Sequence, residues 1–147
     1  MATTKSSDAS LDKRHMAAAL ALAERGLGAV WPNPAVGCVL VKDGRVIGRG
    51  WTQTGGRPHA ESEALARAGD AAKGATAYVT LEPCAHHGET GPCAEALAKA
   101  GIARLVAAMA DPDPRVSGRG FAHLKTAGIE VLIGPGGDQA ARLNAGF

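Results

Sequence analysis

Four side chains constrain this chain more than anything else in it. His59 and Glu61 stand two residues apart, and Cys84 and Cys93 follow, each near a break between regular segments. Imidazole nitrogen and thiolate sulfur are together the donor set of a borderline-soft cation such as zinc. A fold that uses them as a set has to bring those breaks to one place. His59, Cys84 and Cys93 fill three of four tetrahedral positions and leave one for solvent, which is the pattern of a catalytic site. Glu61 is close enough to handle a proton there without serving as a ligand.

Taken singly, each residue has a plainer reading. A lone His is more often structural than metal-bound, and a lone Cys is usually a small buried hydrophobe. The combination at segment ends favours zinc. Cys38 is different, because it lies inside the apolar run 36–41 and reads as core.

The punctuation of the chain supports this arrangement. Residues 1–9 are small and polar and read as a frayed tail, with Ser7, Asp8 or Ser10 able to cap the first helix. Leu11, His15, Ala18 and Leu22 then recur at helical spacing, with a stop at Arg25-Gly26. The run 36–41 reads as a strand covered on both faces, and Asp43-Gly44 as a two-residue hairpin turn into a return strand through Trp51. A helix is expected from His59 to Gly69 with Ala64, Leu65 and Ala68 inward. It is followed by a strand over 75–81 that delivers Glu82-Pro83-Cys84. Thr90-Gly91-Pro92 opens the next helix, placing Cys93 at its start, where the helix end favours thiolate. Strands over 104–110 and 129–133, a helix over 121–127 and a short closing helix over 139–143 complete the order. That order predicts an α/β fold, a mixed five-stranded sheet between two layers of helices.

Composition narrows the partners. The chain has 147 residues, 46% of them apolar, which suits one domain around a packed core. A formal charge of only +2, without a basic run, and very few aromatics argue against a nucleic-acid binder. Three cysteines is an odd number, unlike a disulfide scaffold, and no leader or spanning segment is visible. The setting expected is a reducing cytoplasm, with no membrane partner.

Asn33 lies between two prolines in Trp31-Pro32-Asn33-Pro34. It reads equally as part of a stiff connector and as an amide aimed at a substrate.

His59-Ala60-Glu61 followed by Pro83-Cys84 and a second Cys is similar to the signature of zinc nucleobase deaminases, with eight residues between the cysteines instead of two. Further segments extend the likeness: Pro32-Asn33-Pro34-Ala35-Val36-Gly37-Cys38, Val41-Lys42-Asp43-Gly44, Tyr78-Val79-Thr80-Leu81-Glu82-Pro83-Cys84, Asp111-Pro112-Asp113-Pro114 and Leu143-Asn144-Ala145-Gly146-Phe147. With these the chain resembles, over residues 11–147, the pyrimidine deaminase domain of bifunctional riboflavin biosynthesis proteins in the cytidine deaminase-like superfamily. That family also uses the longer gap between Cys84 and Cys93.

The resemblance implies a Zn2+ cofactor on His59, Cys84 and Cys93, and Glu61 as proton shuttle. It implies a three-layer αβα fold and a phosphorylated 2,5-diaminopyrimidinone as substrate. It further implies a substrate pocket involving Asn33, Thr52, Ala60, His86, Asp111 and Asp113, and a homodimer or homotetramer. Thr52 stands where the family often has His. Glu89 stands where it usually has Lys or Arg beside the substrate phosphate, so Arg57 or a partner's basic residue is expected to substitute. The family's reductase half has no counterpart in these residues.

Three other readings stay open on the sequence. One is a deaminase of another small base or nucleoside, and one is an editor of tRNA or single-stranded DNA. The last is a structural zinc module with His86 or His87 as fourth ligand.

Overall fold

The computed structural model describes residues 2–30, 34–85 and 93–144, with side chains from residue 9 onward. Asn33, His86, His87, Glu89 and the helix opening at Thr90-Gly91-Pro92 lie outside the described residues.

Five strands form one sheet in the order β2-β1-β3-β4-β5. They are β1 (Gly37–Lys42), β2 (Arg45–Trp51), β3 (Thr76–Val79), β4 (Arg104–Ala107) and β5 (Glu130–Ile133). β1 runs antiparallel to β2 and to β3, while β3, β4 and β5 are parallel. The β1–β2 hairpin closes through Asp43 at φ +52° and Gly44 at φ +76°, the left-handed pair that a two-residue hairpin requires.

Helices cover both faces, as the order of segments predicts. α2 (Ala60–Ala68), α3 (Cys93–Ala100) and α4 (Arg119–Thr126) pack on one face, and α1 (Ala2–Glu24) and α5 (Gly137–Leu143) on the other. Side chains alternate across a strand. Cys38 and Leu40 of β1 therefore join Ala64, Leu97, Leu105 and Leu124 in one core. Val39 and Val41 join Met16, Leu20, Tyr78 and Val106 in the other. Cys38 is fully buried, the core position expected for it.

Two glycines set how closely α2 approaches the sheet. A Cβ on Gly50 would lie 2.6 Å from the Glu63 Cβ, and one on Gly48 would run into the carbonyl oxygen of Ala64. β2 thus presents a bare groove to α2, and the helix start is held against the strand.

Several expected boundaries differ. α1 begins at Ala2, so the stretch expected as a tail is continuous helical backbone; no Gly or Pro interrupts the chain before Gly26. Its buried face is also turned from the one expected. Leu11 and Ala18 are exposed, while Asp12, Met16, Ala19 and Ala23 point inward with Leu22. The reason is Asp12: an ion pair deep under the helix fixes its rotation, and polarity patterning does not foresee that. β3 and β4 stop at Val79 and Ala107, short of the ends expected at Leu81 and Ala110. Beyond them the backbone still makes single cross-links, Ala108 N–H to Val79 O and Glu82 N–H to Met109 O, but leaves the regular ladder.

Candidate metal centre

The site lies where the parallel strands end, at the edge of the sheet that faces the helix starts, the usual place for chemistry in an open α/β sheet. His59 caps α2 in extended conformation (φ −72°, ψ 160°) and is half-buried. Cys84 follows β3 after the Glu82-Pro83 corner, and Cys93 is the first residue of α3. Three breaks that are distant in sequence thereby meet.

The donor atoms of His59, Cys84 and Cys93 all lie within 4.8 Å of one another. His59 Nδ1 is 3.3 Å from Cys93 Sγ, and the Cys93 backbone N–H donates to Cys84 Sγ at 3.2 Å. Tetrahedral zinc bonds of about 2.0–2.3 Å place neighbouring donors about 3.3–3.8 Å apart, so the cluster fits such an ion. Among the described residues no fourth His, Cys, Asp or Glu joins the group.

The electrostatics suit a cation as well. Hydrogen bonds from the Cys93 thiol and from His59 outweigh burial and bring the Cys84 thiol down to about 4, so it is a thiolate at neutral pH. Cys93 is pushed the other way, first by holding its proton for Cys84 and then by burial. His59 is raised, first by its bond to Cys84. The three groups share protons that a divalent cation would replace.

Glu61 sits in the first turn of α2 and is only 5% exposed. Burial drives its carboxyl up to about 7. Its own backbone N–H and the Cys93 thiol offset part of this, and the Cys84 thiolate adds to it.

Glu82 is the residue that sequence reasoning missed. Its carboxylate is buried and accepts four backbone N–H bonds, from Asp111 (2.9 Å), Gly118 (3.0 Å), Gly120 (3.0 Å) and Phe121 (3.3 Å). It caps α4 and fixes the β4–α4 loop against the metal corner. The signal was a charged residue directly before Pro83-Cys84, but its partners lie 29 to 39 residues downstream.

The expected substrate contacts are placed as follows. Asp111 and Arg119 line a cleft with Glu82, Cys84, Ala85 and Gly120. Asp113 turns its carboxylate to Arg115, with Oδ2 2.8 Å from Nη2. Ala60 is fully buried and opens α2, where the first N–H groups have no acceptor within the helix. Thr52 is buried, and its hydroxyl accepts from Val36 N–H at 3.0 Å and approaches the Pro34 carbonyl at 3.4 Å.

Comparison with known proteins agrees with this geometry. Residues 9–109 match the cytidine and deoxycytidylate deaminase zinc-binding region. The chain is 57% identical over 136 residues to the riboflavin biosynthesis protein RibD of Escherichia coli, covering 92% of this chain and 37% of that protein. It is 43% identical to the diaminohydroxyphosphoribosylamino-pyrimidine deaminase of Buchnera aphidicola subsp. Schizaphis graminum, covering 92% of each. The solved RibD of Acinetobacter baumannii superposes with a TM-score of 0.90 at 57% identity, covering 92% of this chain and 38% of that one. The chain thus spans a little over a third of its longer relatives. The three donors fit zinc, the cofactor of the matched region, and the chain belongs to the cytidine and deoxycytidylate deaminase family, on the branch of the riboflavin-biosynthesis pyrimidine deaminases.

Proposed function

We propose that this chain hydrolyses the 2-amino group of 2,5-diamino-6-(5-phosphoribosylamino)pyrimidin-4(3H)-one, giving the 5-amino-pyrimidinedione and ammonia. The observation that carries this reading is the meeting of His59, Cys84 and Cys93 with a buried Glu61 beside them.

His59, Cys84 and Cys93 would hold the ion, with Cys84 already a thiolate. Bound there, zinc supplies a Lewis acid that brings the acidity of water towards neutral pH. Glu61 does the proton work. Its burial keeps the carboxyl near neutrality, where it can both take and give a proton at physiological pH. It takes a proton from the attacking water and returns it to the ring nitrogen. It then takes the second and passes it to the departing amine. Two thiolates and a dication sum to zero charge, which suits a neutral heteroaromatic ring.

Around the ring we assign Asn33, Thr52, Ala60, His86, Asp111 and Asp113. Thr52 acts through the backbone it holds, and Ala60 through the helix start. Asp111 faces the cleft beside Cys84, and Asp113, engaged by Arg115, shapes the same loop. Arg119 lines that cleft, and we assign the phosphate to Arg119 or Arg57. We take residues 11–147 as the working unit, acting as a homodimer or homotetramer in the cytoplasm. Among the described residues no helix is long and apolar enough to cross a membrane.

Glu89 and Thr52 favour one alternative, a deaminase of another aminated base or nucleoside. Metal analysis combined with ammonia release from the phosphorylated pyrimidine, cytidine, cytosine and guanine separates the two. The expected result is one zinc per chain and turnover of the phosphorylated pyrimidine. Turnover of another member alone removes the substrate assignment. Bound zinc with no turnover at all favours a closed structural site.

A further inference from the structure

Glu82 lines the cleft beside Cys84, yet its carboxylate is occupied elsewhere. Oε1 accepts from Asp111 N–H at 2.9 Å and from Gly118 N–H at 3.0 Å. Oε2 accepts from Gly120 N–H at 3.0 Å and from Phe121 N–H at 3.3 Å. A carboxylate has about four acceptor sites, and here each oxygen already takes two bonds. Glu82 therefore has no site left over for a ligand, and its part in the cleft is to hold other groups.

What it holds is specific. Gly118 and Gly120 flank Arg119, so the backbone on each side of Arg119 is tied to one carboxylate. The Asp111 N–H, at the other end of the loop, is tied to it as well. Gly120 draws the start of α4 closer still, because a Cβ on it would run into the Pro83 carbonyl oxygen. The first turn of α4 is thus seated directly on the Pro83-Cys84 corner.

The cleft lies between the two parts so joined. Pro83 and Cys84 form one wall, and Asp111, Arg119 and Gly120 form the other. Cys84 is also one of the three metal donors, so the cleft opens at the metal corner. Among the described residues, Arg119 is the one cation on its lining. The Gly120 and Phe121 N–H groups at the start of α4 are already given to Glu82, so an anionic group in this cleft meets the guanidinium instead of the helix end.

We infer that Glu82 is a positioning residue for the phosphorylated substrate: by tying the backbone on both sides of Arg119, it sets that guanidinium across the cleft from Cys84, where the phosphate arm binds. This rests on the function proposed above and takes Arg119 as the phosphate's cation.

The test is a double-mutant cycle on the zinc-loaded chain, with wild type, Glu82→Gln, Arg119→Ala and the combined variant. Gln keeps one acceptor oxygen and turns an NH2 group towards N–H donors that had an acceptor. Arg119→Ala should raise KM for the phosphorylated pyrimidine about tenfold, the scale of a hydrogen bond to a charged group. Glu82→Gln should raise it about fivefold, with kcat within about twofold. Its zinc content should stay at the wild-type value, and the Gly118 and Gly120 amides should exchange faster. The combined variant should be no more than about twofold worse than Arg119→Ala alone, a coupling that a merely structural role does not produce. Should Glu82→Gln fail to fold, Gly120→Ala takes its place in the cycle, because its Cβ drives α4 off the Pro83 carbonyl and moves Arg119. Penalties that multiply overturn the inference. So does an unchanged KM, or a loss of activity that only tracks zinc content or folded fraction. If the wild-type chain releases no ammonia from the pyrimidine, the proposed function fails, and calorimetric binding of the same compound across the cycle decides the inference by the same coupling. Absence of binding to the wild-type chain sinks both.

Discussion

Asp12 on the α1 side of the sheet and Glu61 on the α2 side are both nearly sealed from solvent, at 3% and 5% exposure. They are handled in opposite ways. Burial works to push the Asp12 carboxyl up, but Arg104 and Tyr78 pull harder, and it settles below its ordinary 3.8. Arg104 grips both carboxylate oxygens, at 2.9 and 2.7 Å, and the Tyr78 hydroxyl donates at 2.7 Å. Near Glu61 the His59 imidazole draws the carboxyl down, but burial outweighs it and leaves the group near neutrality. A buried carboxylate with a full set of charged partners is fixed in one protonation state and serves the fold. One whose partners do not outweigh its burial stays able to exchange a proton, which is what the role proposed for Glu61 requires. Glu82 is a third case: it accepts four backbone N–H bonds and holds a loop.

The largest effect expected from this contrast is in turnover. Glu61→Gln should lower kcat by about a thousandfold, in the range for a lost general acid–base group, while zinc stays bound. Zinc loss in that variant would make Glu61 part of the metal site and erase the distinction. Asp12→Asn should act on stability instead. Breaking one partner out of a buried ion pair costs about 3 kcal/mol, read by urea unfolding, with kcat per folded molecule kept. A normal stability for Asp12→Asn would mean that the ion pair contributes nothing net.

The two carboxylates should also give opposite pH slopes. A depressed folded pKa contributes stability above the unfolded value and loses it as pH falls. The gap between wild type and Asp12→Asn should therefore be full at neutral pH and shrink below about 3.8. A raised pKa on an acid does the reverse. In chelator-treated protein the unfolded chain gives up the Glu61 proton from about 4.5, while the folded chain keeps it until about 7. Wild type should thus lose stability relative to Glu61→Gln across that window. Parallel slopes for the two sites would collapse the comparison. The smallest effect belongs to Cys38→Ser: unchanged zinc content and a modest drop in melting temperature, since the hydroxyl enters the core without a partner.

The sequence by itself determined the kind of centre and its contributors. Donor chemistry is a property of residue type, and helix starts and strand ends are written in local punctuation. The approach of His59, Glu61, Cys84 and Cys93 to segment ends was therefore legible, as were the five strands, the helices on both faces and the core place of Cys38. What only the tertiary structure decided are the matters set by partners far along the chain. Residue type does not say that Asp12 turns inward to Arg104, 92 residues away. Nor does it say that Glu82 caps α4, or that Asn144 holds Ala35. Which hydrogen bond a buried polar group finds depends on what the folded chain brings within three ångströms of it, and local pattern carries no record of that.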